Sequence, residues 1–279
     1  MSYKIIVDSC GELTEEMKAD GHFENVPLTL YVDEYAIVDD DTFDQADFLR
    51  RVAASPNCPK SACPSPETFK NAFDSGDDHV YAVTLSAELS GSYNSAEVGK
   101  NLFIEEHPEK KVHVFNSRSA SVGETLVALK IQECEEAGMK FEEVVETVER
   151  FILEKGTWFV LESLEALRKN GRLSTMKAFL ATALKIKPVM CGTQEGTIEP
   201  LAQVRGINKA LLRMVDFVVE KTVNAENKIL SISHCNCPER AEMVKEALLS
   251  RMKVKDVIVL DTKGVSSLYA SDGGIIIAV

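Results

Sequence analysis

A serine-rich turn between a predicted strand and a predicted helix is the part of the sequence best suited to bind an anion. Ser86, Ser90, Ser92 and Ser95 supply hydroxyl groups there, and Gly91 allows the backbone to approach a ligand closely where the helix begins. Free amide groups and the positive end of the helix dipole favour anions at such a position, and serine hydroxyls complete the site. The same spacing also suits an ordinary helix cap, which is the commoner use of serine at this place.

A second polar turn, over residues 60–66, also precedes a predicted helix. Pro64 and Pro66 restrict the backbone there, so we expect a rigid loop that holds Ser61 and the amide of Ala62 toward a shared cleft. In a parallel sheet both turns gather at the carboxyl ends of the strands, where ligands bind such folds. The alternative is an ordinary rigid connection between two elements.

The cysteine and histidine residues indicate no metal site. Cys235 and Cys237 lie beside His234, but the sequence has no matching second pair, and structural zinc needs four ligands at recognised spacing. The nucleotide-binding and nucleophile-elbow motifs are also absent from the sequence, which disfavours nucleotide hydrolysis and α/β-hydrolase chemistry. We therefore expect neither a bound metal nor a cofactor.

The elements that must position these turns alternate between strand and helix, which predicts an α/β protein with parallel strand–helix–strand units. Continuous apolar runs at residues 4–7, 79–85 and 111–115 are typical of strands buried on both faces. Residues 26–32 are predicted to form one more strand, and the proline-rich residues 55–66 are predicted to form a loop.

The length of 279 residues suits one large domain or two moderate ones, and we place a boundary after residue 156. The domains are then residues 1–156 and 157–279, and the second contains a predicted helix over residues 175–184. Both are expected to be α/β domains with a substantial core.

The composition excludes several classes of protein. Lys and Arg number 31 against 44 Asp and Glu, so the formal net charge is −13, and such a surface repels nucleic acid. No apolar run approaches the ~20 residues of a membrane span. Seven cysteines, an odd number in a long chain, favour reduced thiols. These features predict a cytoplasmic protein that does not span the membrane.

Seven short motifs occur along the chain in a characteristic order. They are Val7-Asp8-Ser9, Ser61-Ala62-Cys63-Pro64-Ser65, and residues 89–96, 161–164, 170–174, 186–188 and 205–210. Each is weak alone, but their order and spacing together are specific. The chain resembles the DegV family of bacterial fatty-acid-binding proteins, whose members supply an acyl chain to a fatty acid kinase.

The resemblance implies a two-domain α/β protein, with an N-terminal parallel-sheet domain and a C-terminal α/β domain that enclose a long acyl chain, such as palmitate, between them. It implies that the carboxylate is held by the turn at Ser61 and Ala62 and by Ser90 with the Gly91 amide. It also implies a carrier without catalysis of its own, and Arg205 matches an arginine associated with the kinase. A salt bridge to one of the many carboxylates is the alternative for Arg205.

Two departures from the family pattern bear on these implications. Ala62 and Cys63 stand where the family has serine and glutamine, and residues 262–269 lack a histidine that many members have there. An enzyme that acts on a small carboxylate or a phosphorylated metabolite at the same anion site is the alternative function. The apolar residues predicted to line the acyl tunnel are Phe159, Phe179 and Ile186.

Overall fold

A computed structural model describes residues 2–173 and 186–279 of the chain. Its strands are β1 (Tyr3–Asp8), β2 (Phe23–Val26), β3 (Thr29–Val32), β4 (Tyr35–Val38), β5 (Lys60–Ala62), β6 (His79–Thr84), β7 (Lys111–Asn116), β8 (Thr157–Val160), β9 (Ile186–Gly192), β10 (Ile198–Arg205), β11 (Ile229–His234), β12 (Asp256–Asp261) and β13 (Ile275–Ala278). Its α-helices are α1 (Glu15–Asp20), α2 (Gln45–Ala54), α3 (Pro66–Phe73), α4 (Ser92–Glu106), α5 (Val122–Glu136), α6 (Phe141–Glu154), α7 (Glu165–Lys169), α8 (Ile207–Lys221), α9 (Pro238–Leu249) and α10 (Gly264–Ala270).

A four-stranded parallel sheet with the order β2-β1-β6-β7 forms the first half of the molecule. The apolar runs of β1 and β6 are buried on both faces, as the sequence predicts. Helices α3 and α4 cover one face, and α5 and α6 cover the other. The turns that follow β1, β6 and β7 therefore share one edge of the sheet.

A six-stranded mixed sheet with the order β10-β9-β8-β13-β11-β12 forms the second half. Only β11 and β12 pair in parallel, so the parallel arrangement of the first half does not extend to this half. The reason is that β10 and β13, which the sequence analysis did not identify, pair antiparallel with their neighbours. Helices α8 and α9 pack on one face, whereas α5 contacts strands of both large sheets. The domain boundary at residue 156 stays a prediction.

A small antiparallel sheet with the order β4-β3-β5 lies beside the larger sheets. Residues 26–32 were expected to form one strand, but they contribute to two, because Pro27 has no amide hydrogen for the ladder and the chain changes sheets there. Residues 55–66 were expected to be a loop, yet they contain β5. The predicted helix over residues 175–184 lies outside the described residues.

Two predicted helix starts are confirmed. The Ser65 side chain accepts a hydrogen bond from the Thr68 amide, and Pro66 occupies the first turn of α3. Gly91 is the N-cap of α4. Both helices begin next to the turns that carry the candidate anion-binding residues.

Candidate functional site

A cavity lies between the four-stranded and six-stranded sheets. The first sheet contributes residues from the turns after β1, β6 and β7, and the second contributes residues from β8, β13 and α10. Most of the wall is apolar. Representative apolar lining residues are Leu28, Leu85, Phe159, Leu161, Val265 and Ile276.

The structure brings Ser61 and Ser90 into the wall of this cavity. Ala62 and Gly91 do not line it and are exposed. Successive residues of a strand point to opposite faces, so the side chain of Ala62 points away from that of Ser61. The structure therefore brings two of the four predicted binding residues into the cavity wall and leaves Ala62 and Gly91 outside it.

Of the three apolar residues predicted to line the acyl tunnel, the structure places one in the cavity wall. Phe159 lines the cavity, whereas Ile186 begins β9 and is not among the described lining residues. Phe179 lies outside the described residues. Ser119, Ser121 and Thr157 add hydroxyl groups to the cavity wall near Phe159.

The Ser61 hydroxyl lies 3.3 Å from the hydroxyl of Tyr269, which also lines the cavity. Ser61 is opposite Leu30 in the small sheet, on its buried face. Tyr269 belongs to α10, within residues 262–269, which contain no histidine. Sequence reasoning missed Tyr269, because no local motif connects it with a strand 208 residues away.

Arg172 supplies a positive charge at the same place. Its Nε donates to the Leu89 carbonyl at 3.0 Å, and its guanidinium lies 5.7 Å from the centroid of the Tyr269 ring. The backbone contacts of Arg172, to the Leu89 and Asn170 carbonyls, use two of the five N–H donors of a guanidinium. The sequence analysis included Arg172 in a motif but gave it no role.

The turn that carries Ser90 is tied to the first strand. The Ser90 hydroxyl accepts a hydrogen bond from the Ser92 amide at 3.2 Å, so it satisfies a helix-start amide while also lining the cavity. The Ser92 hydroxyl does not cap α4 but donates to Asp8 at 2.6 Å. The bond to the Ser92 amide therefore does not keep Ser90 out of the cavity wall.

Buried carboxyl groups lie below this turn. Asp8, Glu12 and Glu124 are all buried, and burial raises the pKa of Glu12 to about 7. Burial also raises the pKa of Asp8 above its ordinary value. Glu12 accepts a hydrogen bond from Ser121 at 2.7 Å, which links the acidic groups to the cavity wall.

Arg205 is exposed at the end of β10, opposite Ile186 in the ladder, and does not line the cavity. Within residues 2–173 and 186–279, Arg205 forms no salt bridge, so no described residue supports the alternative that Arg205 is part of an ion pair. The structure therefore separates Arg205 from Ser61 and Ser90.

The cysteine pair lies at the end of β11, where Cys235 is buried and the Cys237 amide donates to His234 Nδ1 at 3.3 Å. In the described part of the chain, no three His, Cys, Asp or Glu side chains are grouped so that they could hold a metal ion. A search of the same residues finds no helix with the length and apolar character needed to cross a membrane.

The fold and the cavity define an α/β protein that encloses a largely apolar cavity between two sheets. The chain belongs to the DegV family: the family pattern, described as an uncharacterised protein of the DegV family, matches residues 2–279. A DegV domain-containing protein of Streptococcus pneumoniae is 34% identical over 281 residues, which cover 99% of this chain and 98% of the relative.

Two solved structures share the fold over the whole chain. A DegV family protein from Ruminococcus gnavus, solved with vaccenic acid, is 56% identical and has a TM-score of 0.98. The match covers 100% of this chain and 100% of that protein. The fatty acid kinase (Fak) B3 protein of Streptococcus pneumoniae, loaded with linoleic acid, is 32% identical with a TM-score of 0.89. That match covers 100% of this chain and 99% of the pneumococcal protein.

Proposed function

We propose that this protein binds a long-chain fatty acid, with the acyl chain in the cavity between the two sheets and the carboxylate at Ser61, Ser90 and Arg172. The observation that carries the proposal is the grouping of two hydroxyls and a guanidinium in the wall of a mainly apolar cavity. Tyr269 connects this group, because it contacts both Ser61 and Arg172.

The chemistry of the cavity suits a molecule with one anionic end and a long apolar remainder. Hydroxyl groups and a guanidinium form charge-assisted hydrogen bonds with a carboxylate, which are stronger than neutral ones. Burial of each methylene group contributes about 0.8 kcal/mol, so a long chain adds most of the affinity. The fatty acids bound to the Ruminococcus and pneumococcal relatives support this ligand class.

The second part of the proposal is that this cytoplasmic carrier presents its fatty acid to a kinase and performs no catalysis itself. The name of the pneumococcal relative, a fatty acid kinase B3 protein, supports this role. Arg205 is the proposed kinase contact, because it is exposed and has no ion-pair partner within the described residues.

Mass spectrometry of an organic extract from the denatured protein tests the ligand class directly. We expect stoichiometric long-chain fatty acid. An extract without acyl chains, from a protein that converts a small carboxylate or a phosphorylated metabolite, would contradict the proposal.

The headgroup assignment has a separate test. Ser90→Ala removes a donor from a buried carboxylate, so we expect weaker retention of fatty acid by about 1.5–3 kcal/mol. Ser61→Ala should act in the same direction. Unchanged dissociation constants in both variants would show that the carboxylate lies elsewhere, even if the acyl chain occupies the cavity.

A further inference from the structure

Two buried carboxyl groups, those of Asp8 and Glu124, lie beneath the turn 86–91. Asp8 Oδ2 accepts hydrogen bonds from the Leu85 amide at 3.0 Å and from the Ser92 hydroxyl at 2.6 Å. Leu85 and Ser92 are the residues on either side of the turn. One oxygen of a single carboxylate therefore holds both ends of the turn together.

Glu124 is buried in the first turn of α5, and neither of its carboxyl oxygens has a well-formed hydrogen bond to the described residues. The nearby thiol of Cys10 is only a weak donor. A buried carboxylate without strong donors is unfavourable. A protonated Glu124 avoids this penalty, because its own O–H can bond to the neighbouring Asp8 carboxylate. The backbone of Gly11 packs closely against Glu124, because a side chain at residue 11 would place its Cβ atom only 2.9 Å from Glu124 Cβ.

The charged and titratable groups that face Glu124 favour its protonated form. Asp8, Cys10 and Glu12 approach it from the end of β1 and the segment that follows. Lys155, after α6, is the cation that faces it, but burial lowers the pKa of Lys155 to about 7. Burial, followed by the charge of Asp8, raises the pKa of Glu124 well above its ordinary value. The dipole of α5 opposes this shift, but such dipole effects amount to about 2 kcal/mol at most.

Building on the proposed fatty-acid site, we infer that protonated Glu124 donates a hydrogen bond to the Asp8 carboxylate and that this pair positions the turn 86–91, so that Ser90 faces the fatty acid carboxylate. Asp8 and Glu124 are positioning residues, because they act on the ligand through the turn. Loss of the Glu124 proton places two negative charges side by side in the interior. The ordering of the turn is thus present below the pKa of Glu124 and is lost as the pH rises through it.

The test compares dissociation constants for a fluorescent long-chain fatty acid between pH 6 and pH 10. Glu124→Gln keeps an N–H donor for Asp8 and cannot ionise, so we expect affinity near wild type at pH 7 and a smaller alkaline loss. The affinity of the wild-type protein for the fatty acid should fall about tenfold or more as Glu124 ionises. The matched control is Glu135→Gln, which changes the buried glutamate at the other end of α5 and should follow the wild-type profile. At each pH, the dissociation constant of a variant is divided by that of wild type, which cancels the effect of the ligand's own titration.

Two further measurements separate this inference from the proposed function. Asp8→Asn should lose roughly 10- to 100-fold in affinity at every pH, because the turn loses an ionised acceptor. The ¹³C carboxyl signal of Glu124, followed by NMR in ligand-free protein, should titrate well above the range of ordinary glutamates. A Glu124 that is ionised at pH 6, or a Glu124→Gln profile parallel to wild type, overturns the inference. A wild type that binds no fatty acid overturns the proposed function, while the ¹³C titration still decides whether Glu124 holds the proton.

Discussion

The two ends of α5 each bury a glutamate against the four-stranded sheet, and the two glutamates have opposite surroundings. Glu135, in the last turn, accepts hydrogen bonds from the Tyr81 hydroxyl at 2.6 Å and pairs with His79 Nδ1 at 2.7 Å. Glu124, in the first turn, has no well-formed hydrogen bond to the described residues, and its nearby donor is the weakly polar Cys10 thiol. The helix dipole alone would favour the anion at Glu124 and disfavour it at Glu135. At Glu124, burial outweighs the dipole and raises the pKa.

The two glutamates lie at opposite edges of the four-stranded sheet. Glu135 lies at the amino edge, where His79 begins β6, and its contacts join the helix to the strand. Glu124 lies at the carboxyl edge, below the turn that carries Ser90. An acid that accepts strong hydrogen bonds stabilises the fold, whereas an acid without strong donors makes its surroundings sensitive to its protonation state.

The largest expected effect on stability comes from the amino edge. Glu135→Ala leaves the Tyr81 hydroxyl and His79 buried without their acceptor, so we expect the free energy of unfolding to fall by about 3 kcal/mol. Urea denaturation measures this loss. Fatty acid affinity, measured on the folded variant, should match wild type, and a parallel loss of affinity would show that the two edges are coupled.

The largest expected effect on binding comes from the carboxyl edge. Arg172→Ala removes the cation beside Ser61 and Ser90, and we expect fatty acid affinity to fall by about 2 kcal/mol, or 30-fold. Arg168→Ala, which changes an exposed arginine one turn earlier, is the matched control and should bind as wild type does. Equal affinities of the two variants would remove Arg172 from the proposed headgroup site.

A smaller effect is expected from Glu12, whose pKa is raised to about 7 by burial. The folded state binds this proton more tightly than the unfolded state, so the stabilisation is complete below pH ~4.5 and is lost as the pH rises through 7. Glu12→Gln should therefore lose less stability than wild type between pH 5 and pH 8, by roughly 1–2 kcal/mol. Thermal or urea unfolding at both pH values measures the difference, and identical pH slopes would contradict it.

The smallest effect on binding is expected at Arg205, which lies at the end of β10 in the six-stranded sheet and not at either edge of the four-stranded sheet. Arg205→Ala should leave fatty acid affinity and the thermal midpoint at wild-type values, because the side chain is exposed and lies outside the cavity. Formation of acyl phosphate with a fatty acid kinase and ATP should fall. An earlier unfolding transition together with weaker binding would instead assign Arg205 a structural role.

Much of the fold can be predicted from local patterns. The apolar runs at β1, β6 and β7 identify buried strands, and Ser65 with Pro66 marks the start of α3, because these signals depend on neighbouring residues. β10 and β13 were missed, since an antiparallel strand in a mixed sheet is recognised by its pairing rather than by a strong pattern of its own. β5 was missed because three residues between prolines carry little signal.

The sequence by itself determined the alternation of strands and helices, the serine turn at Ser90 and the family motifs. Only the tertiary structure decided that Tyr269 and Arg172 join Ser61 at one cavity, and that Ala62 turns its side chain away from it. The same holds for Asp8 and Glu124, which are 116 residues apart and ordinary acids in the sequence. Their protonation depends on burial and on the contact between them, and both arise only when the chain is packed.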